Sequence, residues 1–569
     1  MRLFSLIGSS LIVTGCVAVQ PGKPVQEFPT SAKLAAIAVQ AKTQPGAQLE
    51  FAQGGEWRAE EAGTIQEDQE RVASMAPELA VKVGAQASQA LDCVAHELAR
   101  VVAETGDIPS LGVRRFISGR CGAWISSPAA RSFTLTAPPG VDAAQVEQKI
   151  RETVAAMPPE QLGAMRGMQL GLGAARVHGA AGDQITVVTA FGEPLVELTS
   201  ITRIADAKGR VSIAGRIKRP AQLAHAFINR GPLGVAACKL DPARSLPDFV
   251  LTCEMDPADD HAWVQLLAAP PGRLIATPVL EMLALRTPDA ARSYRAPDEL
   301  SSGRAQSAAE FQTQALQVLN DIRARAQLAP LSHAATQSDV ATQVTLPFFQ
   351  SVSSDGASAD DLNTTIAMGL LAGWSVQGGV IAAADLAASM SEQQGDAGRW
   401  VSSALELPMA RAVLLAPSAS SLAIGVSLEP KGVAALAVAY QFVDPHADAD
   451  RLAVDILVRL KDVRDARHLG KTVMITDTPG LNDALQSIRN KGQAPGQALE
   501  NVLDHVSSSL GRSVLGFAWE THTLDGIEFP EELLRQGDLY IGAGVAQYRP
   551  AGAAWAQYAV LFAVIQAQP

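Results

Sequence analysis

The 569-residue sequence has few aromatic residues, only five cysteines and no excess of basic residues. Its 46 Lys and Arg residues stand against 58 Asp and Glu residues, which gives a net charge of −12 spread along the chain. A basic surface that binds nucleic acid is therefore not expected. The longest stretch without a charged side chain, residues 362–384, contains asparagine, threonine and glycine. We therefore predict no membrane-spanning helix.

The sequence also lacks complete motifs for nucleotide, metal or catalytic chemistry. Asp477-Thr478-Pro479-Gly480 matches part of a nucleoside-triphosphatase switch, but no Gly-x-x-x-x-Gly-Lys-Ser/Thr loop accompanies it. No pair of cysteines has the close spacing of a typical structural zinc site. Local motifs therefore predict no cofactor, no metal site and no catalytic residue.

A short apolar segment at the N-terminus ends in a cysteine. After a positively charged start, a largely apolar run over residues 3–13 leads to small residues and then to Cys16. This order is typical of a bacterial lipoprotein signal peptide. We expect residues 1–15 to be removed and Cys16 to carry acyl chains such as palmitate, which attach the protein to a membrane of the cell envelope. Val17, which is not acidic, favours the outer membrane.

The other four cysteines form an even set in a chain that is expected to leave the cytoplasm. Four cysteines allow three pairings. We favour Cys93 with Cys121 and Cys238 with Cys253, because each pair closes a local loop. The second loop of about 15 residues corresponds to roughly 3 kcal/mol of stabilisation by the chain-entropy estimate.

The length of the chain requires several hydrophobic cores. The predicted fold class is multidomain α+β. Short valine-rich runs separated by turn residues predict a β-sandwich-like middle domain, although a helical segment near residues 141–157 leaves an α+β domain open. The predicted divisions are 1–15 for the signal peptide, 16–63 for a tether, 64–130 for a helical region, 131–300 for the β-rich domain, 305–445 for the next domain and 446–569 for an α+β C-terminal domain.

Four landmarks in residues 305–445 occur in the order found in the CAP superfamily, which includes cysteine-rich secretory proteins and plant pathogenesis-related proteins. The region resembles a degenerate CAP domain, and the resemblance implies an α-β-α sandwich. The landmarks are the helix over residues 316–323, Phe348-Phe349 shortly before Asp355-Gly356, Gly378-Gly379-Val380-Ile381-Ala382, and Pro408-Met409-Ala410-Arg411 followed by Ile424-Gly425-Val426.

The departures from the family pattern concern its reactive side chains. The resemblance implies a cleft in which two histidines and acidic residues converge, and some members bind a divalent metal there. This chain has Ser351 and Ala410 at the histidine positions and Gly379 at the glutamate position. These side chains neither ligate a metal nor act as a general base near neutral pH. We predict a cleft without catalytic activity.

Five residues of the CAP-like region recur in the last domain at a constant offset of 141 residues. We interpret this domain as a worn duplicate, although amphipathic helices produce such leucine patterns by coincidence as well. The matched residues are Leu316, Leu319, Asp321, Arg323 and Leu328 in the first copy, and Leu457, Leu460, Asp462, Arg464 and Leu469 in the second.

These patterns lead to three hypotheses about function. The preferred one is a non-enzymatic, lipid-anchored envelope protein that presents binding surfaces to an apolar ligand or a protein partner. The alternative is an envelope hydrolase with a site at a domain junction, for which the candidate residues are His225, Glu254, Asp259 and His261. The third is a purely structural subunit of a larger surface assembly.

Overall fold

The computed structural model describes residue 29, residues 31–43, residue 49, residues 56–59, and the chain from 67 to 566 except for short internal segments. The longest of these segments are 157–166 and 374–380. Residues 1–28, which include the predicted signal peptide and Cys16, therefore lie outside the described residues. The chain is a multidomain mixture of helices and five four-stranded sheets, in agreement with the predicted fold class.

The segment predicted as a tether contains two ordered elements. Helix α1 (Ser31–Thr43) packs against a helix of the later CAP-like region, where Ile37 enters the hydrophobic core. Strand β1 (Glu56–Arg58) pairs antiparallel with β14 (Ser293–Arg295). The side chain of Trp57 is buried in the core of the first unit. This segment is therefore attached to the folded body at two points.

The first unit contains a four-stranded sheet with helices on its faces. Its short first strand runs parallel to the third one along the chain, and the other neighbours are antiparallel, in the spatial order β2-β4-β5-β3. The elements are α2 (Glu67–Ala73), α3 (Ala76–Val83), β2 (Gln86–Ala87), α4 (Gln89–Thr105), α5 (Leu111–Cys121), β3 (Ala129–Ala137), α6 (Ala143–Ala156), β4 (Gln169–Gly179) and β5 (Gly182–Gly192).

A β-sandwich follows, as the turn-separated apolar runs predicted. Its two antiparallel sheets have the orders β10-β11-β7-β6 and β13-β12-β8-β9, and their inner faces share one hydrophobic core. The strands are β6 (Val196–Thr202), β7 (Arg210–Ile217), β8 (Leu223–Arg230), β9 (Gly234–Ala237), β10 (Lys239–Leu240), β11 (Asp248–Glu254), β12 (His261–Ala269) and β13 (Thr277–Leu285).

Both disulfides join the cysteines that local loop closure favoured. Cys93 on α4 is bonded to Cys121 at the end of α5. Cys238, between β9 and β10, is bonded to Cys253 on β11. The second bond therefore links the two sheets of the sandwich.

The second unit begins with a capped helix. The Ser307 hydroxyl accepts a hydrogen bond from the backbone N–H of Glu310, and the Glu310 carboxylate accepts one from that of Gln306. The sheet order is β15-β17-β18-β16. The elements are α7 (Ala308–Arg325), β15 (Ser332–His333), α8 (Ala335–Val352), α9 (Ala357–Leu371), β16 (Ile381–Ser391), α10 (Ala397–Ala404), α11 (Pro408–Leu414), β17 (Ser421–Glu429) and β18 (Gly432–Phe442).

The third unit has the sheet order β19-β21-β22-β20. In the described part of the connection from β20 to β21, a 3₁₀ turn, Glu531–Leu534, stands where the second unit has α10 and α11. The other elements are α12 (Ala449–Ala466), β19 (Thr472–Met474), α13 (Leu481–Lys491), α14 (Pro495–Leu510), β20 (Val514–Thr521), β21 (Leu539–Tyr548) and β22 (Gln557–Gln566).

The three sheets have one topology. In each unit a short strand pairs parallel with the first strand of a hairpin, and the hairpin's second strand pairs antiparallel with the remaining strand. A glycine at the same register of that first hairpin strand lies against the helix after the short strand: Gly173, Gly425 and Gly544. In the described part of the chain, three units therefore share this strand topology, whereas the sequence analysis related only the last two to each other.

The offset of 141 residues matches the structure of the second and third units. Arg323 and Arg464 are both fully buried at the ends of α7 and α12. Arg323 donates to the backbone oxygens of Ala329, Leu414 and Ala416, and Arg464 donates to those of Leu469, Leu533, Arg535 and Gly537. Each arginine thus holds the connection that precedes the hairpin.

Candidate functional site: the junction at helix α11

The structure describes two of the three predicted cleft positions. Ser351, in the last turn of α8, is buried, and its hydroxyl donates to the backbone oxygen of Phe348 at 2.7 Å. Ala410, on α11, is also buried. Gly379 lies outside the described residues. The Ser351 hydroxyl is therefore used within its own helix.

Helix α11 lies between the second unit and the sandwich. Pro408 at its first turn, with φ already set for a helix, favours the start of this short element. Val413 and Leu414 enter the core of the second unit. Met409 and Ala412, three residues apart on one side of the helix, pack against the outer face of the β8-β12 sheet. The helix that carries the second family histidine position is thus an interdomain contact.

A line of polar groups crosses the junction. The backbone N–H of Met409 donates to Gln265 Oε1 at 3.0 Å, and Gln265 Nε2 donates to Glu281 Oε1 at 2.8 Å. Arg115 of α5 completes the line with an ion pair to Glu281, at 3.0 Å from Nε to Oε2. Burial raises the pKa of Glu281, while Arg115 and Gln265 oppose this shift. The network connects the first unit, the sandwich and the second unit.

Further hydrogen bonds fix the residues around α11. Asn229 Nδ2 donates to the backbone oxygen of Glu406 at 2.6 Å, and the Tyr294 hydroxyl lies 2.8 Å from the Glu406 carboxylate. Arg411 Nη1 donates to the backbone oxygens of Gly231 and Gly234 at 2.8 and 3.0 Å. Burial lowers the pKa of Arg411 to about 10, so that it stays protonated at neutral pH. The sandwich thus holds the segment in which the resemblance placed reactive groups.

The four hydrolase candidates do not form one constellation. His225 on β8 faces α11, and its Nε2 is buried without a hydrogen-bond partner in the described part of the chain. Burial lowers the pKa of this imidazole. His225 pairs with Leu267 of β12, whereas His261 begins β12, about 20 Å from Leu267.

The two carboxylates among these candidates lie elsewhere. Asp259 accepts a hydrogen bond from the backbone N–H of Gly231 at 2.8 Å, and Glu254 ends β11 in the other sheet of the sandwich. Neither carboxylate is on a residue that pairs with His225 between β8 and its neighbour β12. The alternative hypothesis of an envelope hydrolase therefore has one histidine at the junction to support it, His225.

The sequence analysis missed Gln265, Glu281 and Arg411 as junction residues. Gln265 and Glu281 interrupt the apolar strands β12 and β13, and both are almost completely buried. A single polar residue inside a run of apolar residues was the available signal, because a buried polar group needs a partner. That partner comes from another domain, which the run itself does not identify.

Among the described residues, no group of three or more His, Cys, Asp or Glu side chains is placed to hold a metal ion. Within the same part of the chain, no helix has the length and apolar character needed to cross a membrane.

The chain is similar to two solved bacterial proteins of one type. An extracellular protein containing an SCP domain from Bacillus anthracis is 12% identical, with 43% of this chain and 86% of that chain covered and a TM-score of 0.19. A cysteine-rich secretory protein from Staphylococcus aureus is 10% identical, with 43% and 89% covered and a TM-score of 0.17.

A β-1,2-glucanase from Parabacteroides distasonis is 10% identical, with 34% of this chain and 38% of that chain covered and a TM-score of 0.12. No protein-family model and no curated protein sequence matches the chain.

Proposed function

We propose that this chain is a non-catalytic, lipid-anchored protein of the cell envelope that presents binding surfaces to an apolar ligand or a protein partner. The observation that carries the proposal is the burial of α11 against the sandwich. Met409 donates its N–H to Gln265, and Arg411 is bound to two backbone oxygens of the sandwich. A helix held in this way serves to join domains.

The second unit is proposed to be a degenerate CAP domain, and the first and third units to be further copies of it. The order of the sequence landmarks and the shared strand order of the three sheets support this assignment. Three units of this kind give a large surface made from repeated elements, which suits binding to extended partners better than a single deep site.

Metal analysis and activity screening of the full chain, extracted in detergent, test the absence of catalysis. We expect less than stoichiometric transition metal and no hydrolysis of peptide, glycan or ester substrates above the background of a mock extract. A hydrolysis that is lost in His225→Ala and kept in His333→Ala would overturn the proposal in favour of the junction hydrolase. His333 is an exposed histidine of the second unit and serves as the matched control.

Metabolic labelling with an alkyne fatty acid tests the anchor. The wild-type chain is expected to carry the label and to sediment with the outer membrane. The Cys16→Ser variant should lose the label and keep an uncleaved signal. Label retained on Cys16→Ser would remove the lipoprotein assignment and leave the question of catalysis unaffected. Chemical cross-linking in intact cells, followed by purification in detergent, then identifies a protein partner.

A further inference from the structure

Strand β20 lies at one edge of the sheet in the third unit. It is the last strand in the order β19-β21-β22-β20 and pairs with β22 over its whole length without a bulge. In the described part of the chain, no other strand pairs with its outer side. A row of backbone N–H and C=O groups along such an edge is complementary to one kind of partner, another extended strand.

The side chains of β20 lack the features that usually protect an edge. The strand reads Val-Leu-Gly-Phe-Ala-Trp-Glu-Thr and contains neither proline nor a basic residue. Small residues, Gly516 and Ala518, lie on the side covered by α14. The large residues Leu515, Phe517 and Trp519 lie on the other side, where Phe517 and Trp519 are half-buried against the core of the unit and Leu515 is 41% exposed. The edge is therefore apolar.

The equivalent strands of the other units are protected. Strand β3 presents Arg131 and alternating Ser and Thr residues, most of them exposed. On β16, helices α10 and α11 cover the side that corresponds to Leu515, Phe517 and Trp519. The indole of Trp400 also donates to the backbone oxygen of Ser389 on that strand. Within the described residues, an exposed large apolar side chain on this edge strand is thus found in the third unit and not in the other two.

We propose that two copies of this chain associate through β20, antiparallel and around a twofold axis at Phe517. In this register Phe517 faces its own copy, Leu515 faces Trp519, and Gly516 faces Ala518. The pairs formed by Leu515, Phe517 and Trp519 are aromatic or aliphatic, and Gly516 and Ala518 on the other side are small. Glu520 faces Val514, so that the only charged side chains of the two strands stay about 20 Å apart. The sequence of β20 is therefore complementary to itself, which favours a second copy over a different protein.

Substitution at the exposed position tests the proposal on the full chain in detergent. Leu515→Lys is expected to convert a species of twice the chain mass into one of the chain mass, as measured by sedimentation equilibrium, because it places a charge opposite Trp519. Val454→Lys is the matched control. Val454 is 47% exposed on α12 of the same unit and away from the edge. The Val454→Lys variant should therefore keep twice the chain mass. An unchanged mass of Leu515→Lys, or a single-chain mass of the wild type, overturns the proposal.

A photo-crosslinking amino acid in place of Leu515 tests the same contact in cell membranes. The expected product has twice the chain mass, and its cross-linked peptide contains Trp519. A product formed only with a different protein overturns the pairing with a second copy. The same probe in place of Val454 should give no product of doubled mass. Circular dichroism of each variant shows whether the fold is retained.

Discussion

The second and third units share a strand order but differ in what covers one face of the sheet. In the second unit, α10 and α11 lie over Asp385, Ala387 and Ser389 of β16. In the third unit the register-equivalent positions of β20 are Leu515, Phe517 and Trp519. The positions are small or polar in the second unit, where two helices cover them. They are large and mostly aromatic in the third unit, where these helices have no counterpart among the described residues. One topology thus tolerates two ways of filling the same space.

This difference also explains the junction with the sandwich. The connection from β16 to β17 forms two helices, and the second of them, α11, contacts the β8-β12 sheet. In the described part of the corresponding connection of the third unit, the helical element is the 3₁₀ turn Glu531–Leu534, whose Leu533 is buried in the unit's own core. The connection before the hairpin therefore distinguishes the second unit, which contacts the sandwich, from the third unit, whose edge strand carries an exposed leucine.

The largest expected effect tests what the two units share. Arg323→Ala leaves three or more buried backbone oxygens without a donor and should destabilise the second unit by about 3 kcal/mol. Arg464→Ala should do the same in the third unit. Hydrogen exchange followed by mass spectrometry resolves the two units. Arg325→Ala, an exposed change on the same helix as Arg323, should stay within about 0.5 kcal/mol. Equal protection in Arg323→Ala and wild type would contradict the structural role.

A smaller effect should separate the units at their shared glycine. A Cβ on Gly425 would lie 2.4 Å from the backbone carbon of Ala341, whereas one on Gly544 would lie 2.7 Å from Leu485 Cδ1. A helix backbone yields less easily than the end of a leucine. Gly425→Ala should therefore cost about 2 kcal/mol and Gly544→Ala less than about 1 kcal/mol, measured by the same exchange experiment. Equal costs would show that the helix packs less rigidly than the structure indicates.

The smallest effect concerns pH. Asp385 Oδ1 is buried without a hydrogen-bond partner in the described part of the chain, and burial raises the pKa of this carboxyl to about 7. In the unfolded chain this carboxyl ionises near its ordinary pKa of 3.8, so the folded state binds the extra proton between these two pH values. The free energy of unfolding of the second unit should then fall, as pH rises through this range, by at most about 1.4 kcal/mol per pH unit.

Asp385→Asn should remove this slope, and hydrogen exchange of the second unit at pH 5, 6 and 7 measures it after correction for the intrinsic exchange rate. The exposed change Asp321→Asn on α7 should leave the slope in place. The third unit, with Leu515 at the equivalent position, should lack the slope. A wild-type second unit that is equally stable at pH 5 and pH 7 would refute the assignment.

Several features could be predicted because they depend on local pattern. The period of the apolar residues predicted the helix beginning after Ser307, and loop length favoured both disulfides. The spacing of Leu316, Leu319 and Arg323 predicted a likeness between the last two units, which share a strand order. The first unit was missed because its opening helix is split into α2 and α3 and carries no buried arginine that matches Arg323. Its strands β3 to β5 therefore read as the start of the β-rich region.

Residues near one another in the chain specify the periodic elements and the local disulfide loops, so the amino-acid sequence alone is enough to predict them. The tertiary structure was needed to show that Gln265 and Glu281 connect three domains, that α11 is buried against the sandwich, and that β20 lies at the edge of its sheet in the described part of the chain. Burial and pairing across domains depend on which surfaces meet. That information is distributed over residues hundreds of positions apart, and no local pattern contains it.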